Sequence, residues 1–397
     1  MQIHHWHNSI GDVSSPADSD DGSSFGSAMP QEYLLNDSGE ASPIYGATTQ
    51  SPTTSATTAT ATGSLPAQTL VGSANGLRFD LIWDPSVANA PHGFIQAVVD
   101  AAKLYSTLYS NKAVINIDVG YGEIGGTQLP AFALGASDPF GYLTDYSTVT
   151  TVLSHDGFAF PAANEPTGSQ FFVTSADAKA MGLVDPVAGL DGFMGFSDLT
   201  GTGFSWNTAA SISGFNAGTG PNQFDLQAVA EHEISEVMGR LGIEGLPVAG
   251  APTYSPLDLF NYQSPGVLAL SSNAGYFSPF NGWINLGNFN NAAANGGDIG
   301  DWASSTSITQ SNTLGIPRGS YDAYDAFTFP GVNGQVSLSD IIEGAALGYT
   351  LKGAASLALL GNYAAASFAG AAGLHGDSAV AAVVQAADQQ LLALPHV

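Results

Sequence analysis

The chain contains no cysteine, which excludes both a disulfide framework and a thiolate metal site. Basic residues are almost as scarce. The cations are Arg78, Lys103, Lys112, Lys179, Arg240, Arg318 and Lys352, seven against 34 acids in 397 residues. A formal net charge of -27 repels phosphate backbones and anionic lipid, so no nucleic acid and no membrane surface is an expected partner. No run approaches the ~20 apolar residues that span a bilayer. The opening MQIHHWHNSIGDVSSPADSDDG has neither the cationic stretch nor the apolar stretch of a Sec signal. No GxSxG elbow and no phosphate-cradling glycine loop opens a helix, so serine-hydrolase and nucleotide-binding readings have no support. Only 10% of residues are charged, so Asn, Ser, Thr and Gly must supply most of the solvation. The acids need a counter-charge other than Lys and Arg. Bound metal ions would provide one; simple solvent exposure would remove the need.

Hydrophobic residues make up 44% of the chain, enough to pack a core over most of its length. Residues 1–66 are polar and low in complexity, ending in SPTTSATTATATGSLP, and the expectation there is a disordered arm. Its HHWH (4–7) could hold a transition metal only weakly on so floppy a support. Order is expected over 67–350. LRFDLIWD (77–84) and AVINIDVGYGEI (113–124) alternate like strands, and Ile115, Ile117 and Val119 share a face. HGFIQAVVDAAKLYSTLYSN (92–111) has helical spacing. QFFVT (170–174), SADAKAMGL (175–183) and DGFMGFS (191–197) read as strand, helix and strand. Interleaving without regular βαβ spacing predicts a mixed α+β domain. Residues 242–349 are rich in Gly, Asn, Pro and aromatics, and so irregular a length inside one domain points to function. Residues 351–397 form an Ala/Leu-rich tail, read as a secretion signal, with a plain packing helix as the alternative.

PNQFDLQAVAEHEISEVMGRLG (221–242) is the most informative segment. Asn222 is the expected N-cap and Gly242 the expected stop, with Arg240 suiting the negative end of the dipole. At about 100° per residue, Leu226, Val229, Ala230, Ile234, Val237, Met238 and Leu241 share one face. His232 and Glu236 fall opposite, one turn and roughly 40° apart, so both can reach one ion. Glu233, next along, could serve a general base's role beside it. The competing reading makes these residues the wet face of an amphipathic helix. Against it, four of the chain's sparse charges (Glu231, Glu233, Glu236, Arg240) cluster here with a histidine.

HEISE resembles the HExxH motif of zinc peptidases, and Gly239 matches the glycine of the longer metzincin pattern HExxHxxGxxH. The runs SADAKAMGLVDPVAGLDGFMGFS, FDLQAVAEHEISEVMGR and YSPLDLFNY resemble a family of bacterial secreted metallopeptidases related to metzincins. GDIGDWASS (297–305) and DAFTFPGVNGQVSLSDIIEGAALGY (325–349) extend the likeness over roughly 77–350. The resemblance implies a metzincin-like twisted mixed sheet above the 223–241 helix, an edge strand preceding that helix, and an irregular C-terminal subdomain lining a cleft. It also implies a secreted metal-dependent endopeptidase acting on protein or peptide substrates as a monomer, with Glu233 as general base. Export would be without a Sec signal, through a type I channel.

The departures are specific. Glu236 stands where the pattern has its second histidine, and Gly242 where it has the third. Asp258 of YSPLDLF, 22 residues beyond Glu236, is the expected third ligand, with Glu244, Asp298, Asp301 and His155 as substitutes. Asp258 could equally be a loop cap or a partner for Arg240. Two carboxylates and one imidazole neutralise a zinc ion, so its water should ionise above the roughly pH 7 of strong zinc hydrolases. They also admit Mn²⁺ or Ca²⁺ beside Zn²⁺. His92, like His155, stands alone and reads as structural. The alternative from another class is a catalytically inactive secreted binding protein that reuses the cleft.

Overall fold

Period-two alternation in RFDLIW and VINIDVGY becomes paired strands in a computed structural model of the chain. It describes residues 65–129, 133–155, 166, 170–209, 218–270, 275–295, 297–304, 313, 316 and 321–353, and the backbone of 32–35 and 41–43. The fold is α+β, with few helices and one large mixed sheet of ten strands. Those strands are β1 (Glu32–Leu35), β2 (Ala41–Pro43), β3 (Gln68–Gly72), β4 (Arg78–Trp83) and β5 (Val114–Tyr121). They continue with β6 (Gly135–Thr144), β7 (Gln170–Thr174), β8 (Gly192–Phe196), β9 (Pro247–Val248) and β10 (Ala251–Tyr254). The order is β9-β10-β7-β6-β8-β5-β4-β3, with β1 against β6 and β2 against β1.

Parallel pairing joins β4 to β5 and β5 to β8, whereas β6 runs antiparallel between β8 and β7. The connection from β4 to β5 is the helix α1 (Phe94–Leu108), whose Ala97, Val98, Ala101 and Ala102 are fully buried. After α2 (Tyr146–His155) and α3 (Ser175–Ala180) comes α4 (Leu226–Val237), the helix that carries HEISE, and the small residues of α1 let it lie close to α4. Ile115, Ile117 and Val119 are fully buried, as their alternation predicts. They join Phe79, Leu81, Met194, Phe196 and the apolar side of α4 in one continuous core.

Three expectations change. The strand that precedes α4 in the sheet, β8, is interior, because β6 and β7 extend the sheet beyond it. Within 1–66, two short stretches form strands: Tyr33 pairs with Gly141 and with Pro43. Backbone ladder bonds can recruit a polar segment that has no apolar periodicity to announce it. HHWH (4–7), most of that arm and residues 354–397, hence nearly all of the tail, lie outside the described residues. Finally, 242–349 is less irregular than its composition suggests. It holds a small sheet of Asn261–Ser264, Val267–Leu268, Tyr276–Phe277 and Gly287–Asn288, and a helix, Leu338–Ala346, with a Ser337–Asp340 capping box.

Candidate metal centre

α4 begins later than its polar signals suggest. Gln223–Asp225 pairs in parallel with Ser205–Asn207, and Asp225 is the N-cap, accepting from the Ala228 amide. The strand pairing takes the residues that Asn222 would otherwise cap. The helix also ends earlier, at Gly239 instead of Gly242. Gly239 has φ +113°, and a Cβ there would meet Asp177 at 3.1 Å, so only glycine fits the turn. Arg240 N then bonds back to Ser235 O at 3.0 Å, and its guanidinium points along the helix toward Glu236.

Both faces of α4 are buried: His232 and Glu233 are 0% exposed and Glu236 1%. The amphipathic reading with a wet polar face therefore fails. β6 covers the helix from above. Gly135 lies against the Glu233 carboxylate, where any Cβ would collide with Oε1. Two residues along the same strand face, Ser137 Oγ donates to Glu236 Oε2 at 2.7 Å.

The other side of α4 is closed by 297–304 and 321–325. His232 Nδ1 lies 2.9 Å from Ala323 O. A carbonyl only accepts, so Nδ1 carries a proton and Nε2 is the atom turned toward the carboxylates. Nε2 is 3.2 Å from Glu236 Oε1 and 3.2 Å from Asp301 Oδ1, and neither contact has hydrogen-bond geometry. One donor atom from each of His232, Glu236 and Asp301 lies within 4.8 Å of the others. Donors held about 2.0–2.1 Å from a tetrahedral ion are about 3.3 Å apart, so the two 3.2 Å separations fit one divalent cation.

Asp301 reaches the helix through two glycines. A Cβ on Gly242 would meet Gly300 N at 2.8 Å, and one on Gly300 would meet Gly242 N at 2.8 Å. The backbone that delivers Asp301 passes where a residue-242 side chain would project.

Asp258, the first choice for third ligand, is not brought there. It is a loop cap: its carboxylate accepts from the amides of Ser255 (2.8 Å), Glu244 (2.9 Å) and Ile243 (3.2 Å). All three fall on Oδ2, and Oδ1 accepts only a longer contact from the Ile243 amide at 3.3 Å. Burial still raises its pKa to about 6. Glu244 bonds Asn261 Nδ2 at 2.7 Å, His92 is exposed, and the His155 side chain lies outside the described residues. Among the described residues only Asp301, of the four substitutes, joins His232 and Glu236.

Arg240 is the member of the centre that sequence reasoning missed. Nη1 is 2.5 Å from Asp301 Oδ1 and Nη2 is 3.3 Å from Glu236 Oε1, with the guanidinium 4.5 Å from the Tyr324 ring centroid. Asp325 and Glu343 add buried carboxyls whose oxygens make no hydrogen bond, and burial holds both well above the ordinary carboxyl range. His232 is pulled both ways. Burial and Arg240 oppose its charge, but Asp301 and Glu236 outweigh them and raise its pKa to about 10.

No protein-family model, no curated protein and no solved structure matches this chain.

Proposed function

We propose that the protein is a secreted metal-dependent peptidase on a metzincin-like framework, with His232 Nε2, Glu236 Oε1 and Asp301 Oδ1 holding one divalent ion. The observation that carries the reading is the convergence of these three donors with Nδ1 committed to Ala323 O. A backbone carbonyl behind a ligating histidine sets its tautomer and orientation, as outer-shell partners of metal-bound histidines do. One imidazole and two carboxylates suit Zn²⁺ and also admit Mn²⁺ or Ca²⁺. The bound ion would supply Lewis-acid polarisation of the reacting groups.

The protein's residues divide the remaining work. Glu233 adjoins the ligand His232, and its carboxylate is seated by the bare backbone of Gly135. Its role is to take a proton from the attacking water and return it to the leaving amine of a peptide bond. Ser137 fixes the Glu236 carboxylate from β6, leaving Oε1 turned to the ion. Support for export remains the sequence pattern described above.

A second reading is favoured by burial and by Arg240. His232, Glu233 and Asp301 are fully buried, and a guanidinium on both ligand carboxylates closes the group as an ion-pair network without metal. On that reading the protein is an inert binding scaffold. Metal analysis of the native protein by mass spectrometry, with a casein digestion assay, decides between them. The peptidase reading expects about one divalent ion per chain, loss of it in His232→Ala, and chelator-sensitive digestion. Metal-free protein with no digestion leaves the scaffold.

A further inference from the structure

We infer that Arg240 is a built-in counter-cation of the centre, holding the ligand carboxylates in place without an ion and weakening the ion's grip when it binds. The inference rests on the metal reading above and concerns how that site is loaded. The oxygens that His232 Nε2 faces, Glu236 Oε1 and Asp301 Oδ1, are the oxygens that Arg240 contacts. Ion and guanidinium therefore draw on the same lone pairs, and each diminishes what the other gains.

Arg240 cannot simply swing away. Nε donates to Ser235 Oγ at 2.7 Å, Nη1 to Gly300 O at 3.1 Å, and Tyr324 lies beneath the guanidinium plane. The residue is 2% exposed and its backbone is fixed by the Gly239 turn. A planar guanidinium offers rigidly placed donors to two carboxylates at once, with less freedom lost per bond than for a lysine ammonium. Lys179, the other buried cation among the described residues, is already bound to Asp191. Arg240 is thus a permanent positive charge held between Glu236 and Asp301 in the ion-free protein. In a buried site its repulsion of a dication is poorly screened by solvent. The site is consequently preorganised and exchangeable, and not a permanent trap.

The test uses the full chain and Zn²⁺ itself, titrated against a chromophoric chelator. Arg240→Gln is expected to bind zinc about tenfold tighter or more, since a neighbouring positive charge is gone, with Arg240→Lys in between. Without zinc, Arg240→Gln should unfold at lower temperature, and zinc should restore the loss. A wild-type measurement covers the case in which Arg240→Gln fails to fold. The chain has only three arginines, so ¹⁵N-arginine labelling gives three side-chain Nε–H signals, and the one lost in Arg240→Lys should shift on zinc addition. Equal or weaker zinc binding by the folded variants, or an unmoved Arg240 signal at zinc saturation, overturns the inference while leaving the metal site standing. Zinc binding absent in wild type, or present and unchanged by His232→Ala, overturns both.

Discussion

Two buried cations in one core are treated differently. Lys179 meets a single acid, and the account closes: Nζ is 2.6 Å from Asp191 Oδ2 and donates to Val114 O at 3.0 Å. The Asn116 amide and Ser175 hydroxyl complete Asp191 at 2.7 and 2.8 Å. Arg240 instead faces Glu236 and Asp301 together, with a histidine nitrogen turned onto the same oxygens and Asp325 and Glu343 nearby. A buried pair whose hydrogen bonds are complete needs nothing further. A buried group whose donor atoms converge within reach of one point is a candidate for holding an ion. Burial by itself does not distinguish a structural ion pair from a candidate site; the balance of donors, acceptors and charge does.

The largest expected effect tests the surplus of acid. Burial raises Glu244 to about 9, Glu231 to about 8, and Asp225 and Asp258 to about 6. Unfolded carboxyls titrate near 4, so between pH 5 and 9 the folded chain holds protons that the unfolded chain has released. Stability is then greatest at the acid end and drains away as pH rises through the folded values, by several kcal/mol in total. Calorimetry from pH 5 to 9 should show a falling Tm; a rise over that range would mean these carboxyls are ionised in the fold.

Breaking the closed pair comes next. Asp191→Ala strands Lys179 without a counter-charge and should cost about 3–5 kcal/mol in urea unfolding. On the proposed metal site, the folded fraction should bind metal as the wild type does, because this pair is not part of the centre. On the proposed peptidase function, Glu233→Gln should do the reverse: stability and metal content hold, while proteolysis falls about 10²-fold, the usual scale for a general base. Loss of the ion in that variant would place Glu233 among the ligands.

The smallest effect sharpens the comparison at one hydrogen bond. Ser137→Ala removes the donor to Glu236 Oε2 and should lower stability by about 1.5 kcal/mol, as for a bond to a charged group. It should also loosen metal binding modestly, because Glu236 loses its anchor on β6. The corresponding loss at the closed pair, Ser175→Ala, should lower stability similarly and leave metal binding unmoved.

Local elements were well marked in the sequence. The alternation at Ile115, Ile117 and Val119, the helical spacing over Phe94–Leu108 and the short QFFVT strand all correspond to observed elements within a few residues. Boundaries near α4 were not, because the Asn222 cap lost to strand pairing by Gln223–Asp225, and the nearer glycine took the left-handed turn. In the site, His232 and Glu236 were legible from their one-turn spacing. Arg240 was legible as one of the sparse charges clustered on the helix, but not its contact with both Glu236 and Asp301. Asp258 misled because an acid at a suitable separation caps a loop as readily as it binds an ion.

By itself, the sequence determined which residue types could meet on one helix and that thiolates could not take part. Spacing along a helix is a local property, set by about 100° of turn per residue. Only the tertiary structure decided the third donor and the added cation. Asp301 lies 65 residues beyond Glu236, since 301 − 236 = 65, and no local rule links them. They meet because Gly242 and Gly300 have no side chains to hold their backbones apart, a close approach that depends on both positions at once.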